Sequence, residues 1–126
     1  MYILIVEDDD SARRGLETLL QEEGHTTCWA STGESALEML RTEKVDLVLL
    51  DIMLKPGGMD GVDVAVHKMQ DPAAAGIPVI IMSALEADMI RQRAQRQIDA
   101  LASARLIMGK PLNFGLLLQA INALKK

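Results

Sequence analysis

An α/β fold with a doubly wound, five-stranded parallel sheet in the order 2-1-3-4-5, flanked by five helices, is the architecture this sequence predicts. Three observations carry it. Short β-branched, apolar runs alternate with longer segments of helical period. The first, third and fourth runs are almost wholly apolar, as strands covered on both faces must be. Acidic, hydroxyl or basic residues follow four of the five runs, where such sheets bind ligands at the carboxyl ends of their strands.

Taken in order, Tyr2–Val6, Thr26–Ala30, Asp46–Leu50, Val79–Met82 and Arg105–Met108 read as the strands. Between the first two, Ala12, Leu16, Leu19 and Leu20 share one helical face. Ala36, Leu37 and Leu40 make the second helix, with Ser31 and Glu34 placed as a capping box. Val62, Ala65 and Met69 give a third; Ala87, Ile90, Ala94, Ile98 and Leu101 a fourth; and Leu117, Ala120, Ile121 and Leu124 the last. Strict alternation of strand and helix requires right-handed crossovers and helices on both faces of the sheet.

Composition bounds the rest. A chain of 126 residues, 49% hydrophobic and 25% charged, fits one globular domain over residues 1–126 with a single core. Thirteen basic against 18 acidic residues give a net charge of −5, which disfavours direct nucleic-acid binding. The lone cysteine, Cys28, can form neither an internal disulfide nor a four-ligand zinc site, so a reducing cytoplasm is expected. No apolar run approaches the ~20 residues of a membrane span, and Tyr2–Val6 meets Glu7 too early for a signal peptide.

The residues after the strands then converge. Glu7, Asp8 and Asp9 follow the first, Asp51 the third, Ser83 the fourth, and Lys110, after Gly109, the fifth. The second, an edge strand, offers nothing charged or catalytic. Carboxylates with one lysine around the switch point between strands one and three make an oxygen-rich site for a hard cation of the Mg²⁺ type, Mn²⁺ being the alternative. At ~4 Å and an effective dielectric of ~20, each carboxylate pair repels by about 4 kcal/mol, so such a site binds a divalent cation or holds a proton. With the cation in place, Asp51 becomes a nucleophile toward an activated phosphoryl group, Lys110 neutralises its oxygens and Ser83 donates a hydrogen bond. The product is an acyl phosphate.

The segments "ILIVEDDDSARR", "VDLVLLDIML", "MDG", "PVIIMSA" and "GKPL" together resemble the response-regulator receiver family of two-component signalling, over essentially the whole chain. The resemblance implies a flavodoxin-like receiver fold of the single-domain, chemotaxis-regulator type. It implies that Asp51 accepts a phosphoryl group from a histidine kinase or a histidine phosphotransfer protein. Asp8 and Asp51 would ligate Mg²⁺ directly, Glu7 through water and Met53 through its backbone carbonyl. Ser83 would swing toward the phosphoryl oxygen, and Lys110, before a cis Pro111, would pair with it. The chain would then be no enzyme beyond catalysing its own phosphorylation and dephosphorylation. Its signal would pass to a downstream protein through the face of the fourth helix, fifth strand and fifth helix.

Three departures from the family pattern bear on output. Ile107 stands where the family usually has an aromatic residue three positions before the lysine, so the usual aromatic switch cannot operate. The stretch from Ser83 to Lys110 is longer than the pattern, which implies a longer fourth helix, and Leu101, Ala102, Ser103 and Ala104 replace its usual turn. "DIMLKPGGMDG" is two residues longer than the common "DIMLPGMDG", enlarging the loop beside Asp51. Apolar Met53 and Leu85 beside the acceptor position a hydrolytic water poorly, and slow self-dephosphorylation is expected.

Other features have plainer readings. The eight methionines are adaptable core filler, Cys28 and Trp29 pack under helices from the edge strand, and His25 and His67 are surface residues. Arg91, Arg93, Arg96 and Arg105 bias one region positive and suit an acidic partner. A Mg²⁺-dependent phosphohydrolase would want a general acid where Met53 stands. A flavin module would want a Ser/Thr/Gly phosphate loop after the first strand, and aromatics that are scarce here. The remaining alternative is a receiver-like interaction domain with atypical or lost phosphorylation switching.

Overall fold

The computed structural model describes residues 1–51, 61–83, 106–109 and 113–124. Five parallel strands, β1 (Tyr2–Val6), β2 (Thr26–Ala30), β3 (Leu47–Asp51), β4 (Val79–Ser83) and β5 (Leu106–Gly109), form one sheet in the order β2-β1-β3-β4-β5. Among the described residues there are four helices rather than five: α1 (Asp10–Glu22), α2 (Gly33–Thr42), α3 (Gly61–Gln70) and α4 (Phe114–Leu124). The expected helix spanning Ala87 to Leu101 lies outside the described residues.

The period-two alternation of the strands sorts the core into two layers. Leu4, Val6, Val48, Leu50, Val79 and Ile81 face one way and pack with Ala36 and Leu40 of α2 and Val64 and Ala65 of α3. Ile3, Ile5, Leu47, Leu49, Ile80, Met82 and Met108 face the other way, against Leu16 and Leu20 of α1 and Leu117 and Ile121 of α4. Helices therefore cover both faces. This is why the central strands carry no polar alternation: each residue of β1 after Tyr2 and each residue of β3 is buried.

Several boundaries fall one residue later than the sequence suggests. β3 begins at Leu47 because Asp46 is held outside the ladder: its amide donates to the Tyr2 carbonyl at 2.8 Å, and its Oδ2 accepts from the Tyr2 amide at 2.8 Å. Asp51 and Ser83 belong to the last ladder positions of β3 and β4, opposite Met82 and Gly109. β5 likewise closes on Gly109 instead of Met108. The cap of α2 is Thr32, not Ser31: the Thr32 hydroxyl accepts from the Ser35 amide at 3.1 Å, leaving Glu34 exposed in the first turn.

Burial corrects three side-chain expectations. Ala12 is exposed, since α1 meets the core through Leu16 and Leu20, further along the helix. Met69 is also exposed, because α3 leans on α2 as well as on the sheet, and that wider arc buries Val64, Ala65 and Val66 together. His25 is buried rather than on the surface. Gly24, in the left-handed region at φ 87°, ends α1, the His25 amide returns to the Leu20 carbonyl at 3.0 Å, and Nδ1 of the ring lies 3.3 Å from the Met1 amine. The buried Lys68 was not foreseen; its Nζ donates to the Ala75 carbonyl at 3.5 Å. His67 is exposed as expected.

Candidate functional site: a carboxylate cluster at the sheet's carboxyl edge

β1 and β3 run side by side, with Val6 opposite Leu50, so the residues that follow each pair leave the sheet together. Glu7, Asp8 and Asp51 meet there. A carboxylate oxygen from each lies within 4.8 Å of the other two, with Glu7 and Asp51 both 2% exposed and Asp8 half-buried. Buried like charges at this spacing repel strongly and call for a counter-charge. Three hard oxygen donors, one at the mouth and two below it, fit a Mg²⁺-sized cation that keeps some of its waters.

The acid run Glu7–Asp10 divides its labour. Asp9 caps α1, its Oδ1 accepting from the amides of Ser11 at 2.9 Å and Ala12 at 3.5 Å. Asp10 points outward and pairs with Arg13 at 3.4 Å. That leaves Glu7 and Asp8 for the cluster. Glu7 is fixed by its surroundings: its amide donates to the Ala30 carbonyl at 3.1 Å, and its Oε1 accepts from the Asp9 amide at 3.1 Å.

One contributor was missed by sequence reasoning, which gave β2 no part in the site. Trp29 of β2 donates its indole Nε1–H to the Glu7 carbonyl at 3.0 Å. Expected to pack under a helix, the ring is instead 39% exposed, with the Arg13 guanidinium of α1 lying 3.8 Å over it. The cue was available in the pairing of Val6 with Ala30, which sets residue 29 one step behind the acid turn. Cys28, its neighbour, packs against the α2 and α3 side of the core as expected.

Of the other expected site residues, Ser83 ends β4 on the same edge of the sheet, one strand beyond Asp51. Met53 and Lys110 lie outside the described residues, as do Leu85, Arg91, Arg93, Arg96 and Arg105. Ile107 is 43% exposed on β5. A cleft of 520 Å³ between β5 and α4 is lined by Ile107, Met108, Asn113, Leu116 and Ala120 among others.

Comparison with known proteins agrees with this geometry. The model of the response regulator receiver domain matches residues 3–122. Protein PilH of Pseudomonas aeruginosa is 31% identical over 121 residues, which is 96% of this chain and 94% of that protein. The transcriptional regulatory protein AfsQ1 of Streptomyces coelicolor is 36% identical over 87 residues, 69% of this chain; the match takes in only 36% of AfsQ1. A gliding motility regulatory protein of Myxococcus xanthus is 34% identical over 98% of this chain, which spans 15% of its length. Among solved structures, a response regulator from Chloroflexus aurantiacus superposes with a TM-score of 0.82 at 26% identity, covering 99% of this chain and 98% of that one. The Francisella response regulator 1452 receiver domain gives 0.78 at 27% identity, covering 98% and 94%.

Proposed function

Since this chain belongs to the response-regulator receiver family of two-component systems, we propose that it is a phosphoacceptor whose Asp51 takes a phosphoryl group from a phosphohistidine. The observation that carries this reading is the convergence of Glu7, Asp8 and Asp51 within 4.8 Å at the carboxyl edge of the sheet. A Mg²⁺ or Mn²⁺ ion held there by Asp8 and Asp51, by Glu7 through water and by the Met53 carbonyl would supply positive charge to the phosphoryl oxygens.

An Asp51 carboxylate oxygen attacks phosphorus in line; the P–O bond forms as the P–N bond to the donor imidazole breaks, and the imidazole nitrogen leaves with its electron pair. Ser83 donates a hydrogen bond to one phosphoryl oxygen and Lys110 pairs with another. Membership of the receiver family supports a histidine kinase or phosphotransfer protein as the partner.

Output runs through contact with a protein target at the face that includes β5 and α4, where Ile107, Phe114 and Leu116 are exposed beside the cleft. We place the reaction in the cytoplasm, a location that the unpaired thiol of Cys28 supports. Intact mass after incubation with acetyl phosphate and Mg²⁺ tests the proposal. One added phosphoryl group, absent in Asp51→Asn and in chelator, is expected; addition that persists in Asp51→Asn overturns the assignment.

A further inference from the structure

The Glu7 carbonyl that receives the indole hydrogen bond belongs to the peptide joining Glu7 to Asp8. Its orientation is set jointly by ψ of Glu7 and φ of Asp8, so a bond to that oxygen fixes the plane from which both side chains depart. Three carboxylates within 4.8 Å push one another apart, and the softest relief is rotation of this peptide at the end of β1. The Glu7 amide is already tied to the Ala30 carbonyl, which leaves the carbonyl side as the remaining freedom.

We infer that Trp29 is a positioning residue for the cation site, holding the Glu7–Asp8 peptide so that the acids stay gathered against their own repulsion. The indole is itself held. Arg13 covers its ring at 3.8 Å, with a side chain only 13% exposed, and Glu17 grips the guanidinium at 2.7 Å. An edge strand with no ionisable contribution thereby sets the geometry of the acids on its neighbour. The inference rests on the reading of the cluster as a cation site, and the experiment separates the two.

Calorimetric titration with MgCl₂ of the wild-type chain, Trp29→Phe and Asp51→Asn, paired with thermal melts in chelator, is the test. Trp29→Phe keeps a ring beneath Arg13 and removes only the N–H donor. Its Mg²⁺ Kd is expected to weaken by about 10-fold, the low end for groups that orient metal ligands, while the melt in chelator moves little because released repulsion offsets the lost bond. An unchanged Kd, with or without a lower Tm, reduces Trp29 to a structural role and overturns the inference. Wild-type protein that shows no saturable Mg²⁺ binding beyond that of Asp51→Asn overturns the cation reading itself, and this inference with it. If Trp29→Phe fails to fold, Arg13→Gln takes its place: it leaves the donor but uncovers the ring, a roughly twofold weaker Kd is expected, and no change overturns the proposal.

Discussion

Lys68 is buried on α3 with its Nζ 3.5 Å from the Ala75 carbonyl, and that long bond is the polar contact the described residues give its ammonium. Burial pushes its pKa below the ordinary lysine value of 10.5. Between the folded and unfolded values the unfolded chain binds more protons, so stability rises with pH through that window. Lys68→Met is therefore expected to stabilise the fold at pH 7 by about 1 kcal/mol. The advantage should shrink as pH approaches 10.5; urea midpoints of both proteins at pH 7 and pH 10 measure it.

Removing one of three crowded carboxylates relieves repulsion. In chelator, Asp51→Asn is expected to be more stable than wild type by about 1–2 kcal/mol. Adding Mg²⁺ should reverse the order, since saturation at one hundred times Kd stabilises the binding form by about 2.7 kcal/mol. Melts with and without Mg²⁺ decide this, and a wild type indifferent to the ion would contradict it.

Tyr2 is the single tyrosine, so its ionisation is read without overlap at 295 nm. Its pKa is pushed up to about 12, first by the hydrogen bond with Cys28, then by partial burial and by the charges of Cys28 and Glu43. A raised acid pKa makes its contribution to stability complete below pH 10 and lost as pH climbs through 12. A tyrosinate midpoint near 12 is expected in the wild-type chain, moving toward 10 in Cys28→Ala.

Two helix starts hang on one side chain each. Asp9 caps α1, and Asn113 caps α4, its Oδ1 accepting from the Leu116 amide at 3.1 Å. Asp9→Ala and Asn113→Ala should each cost about 1 kcal/mol in denaturant unfolding, with Asp9→Asn costing much less.

On the proposed function, a phosphoryl group accepted by Asp51 should be long-lived, because the apolar side chains of Met53 and Leu85 offer no hydrogen bond to a hydrolytic water. Following the mass of phosphorylated protein with time, Met53→Asn is expected to speed the loss several-fold. Equal rates would remove this explanation.

The sequence made most of the fold legible because strands buried on both faces leave an unmistakable apolar signature, and Leu47–Leu50 could be little else. The acids Glu7, Asp8 and Asp51 were legible for a related reason: connectivity alone brings the ends of β1 and β3 together. Ends of elements were less so, because Asp46 looks like strand until its bonds to Tyr2 are placed, and Ser31 looks like the cap until Thr32 takes the Ser35 amide. Trp29, His25 and Lys68 escaped altogether. Their roles depend on reach across the chain, to Glu7, Met1 and Ala75, and no periodicity encodes reach.

The position of β1 matters beyond the site. It precedes β2 and β3 along the chain, yet it lies inside the sheet between them, with Tyr2 opposite Thr26 and Ile3 opposite Leu47. On the ribosome this apolar run must wait for more than forty further residues before both its hydrogen-bonding edges are covered. The nascent chain thus passes through an interval in which this apolar segment has at least one uncovered edge, and early chaperone contact should concentrate on Tyr2–Val6. Once β3 emerges, the β2-β1-β3 half closes around it, and what remains is added at one edge.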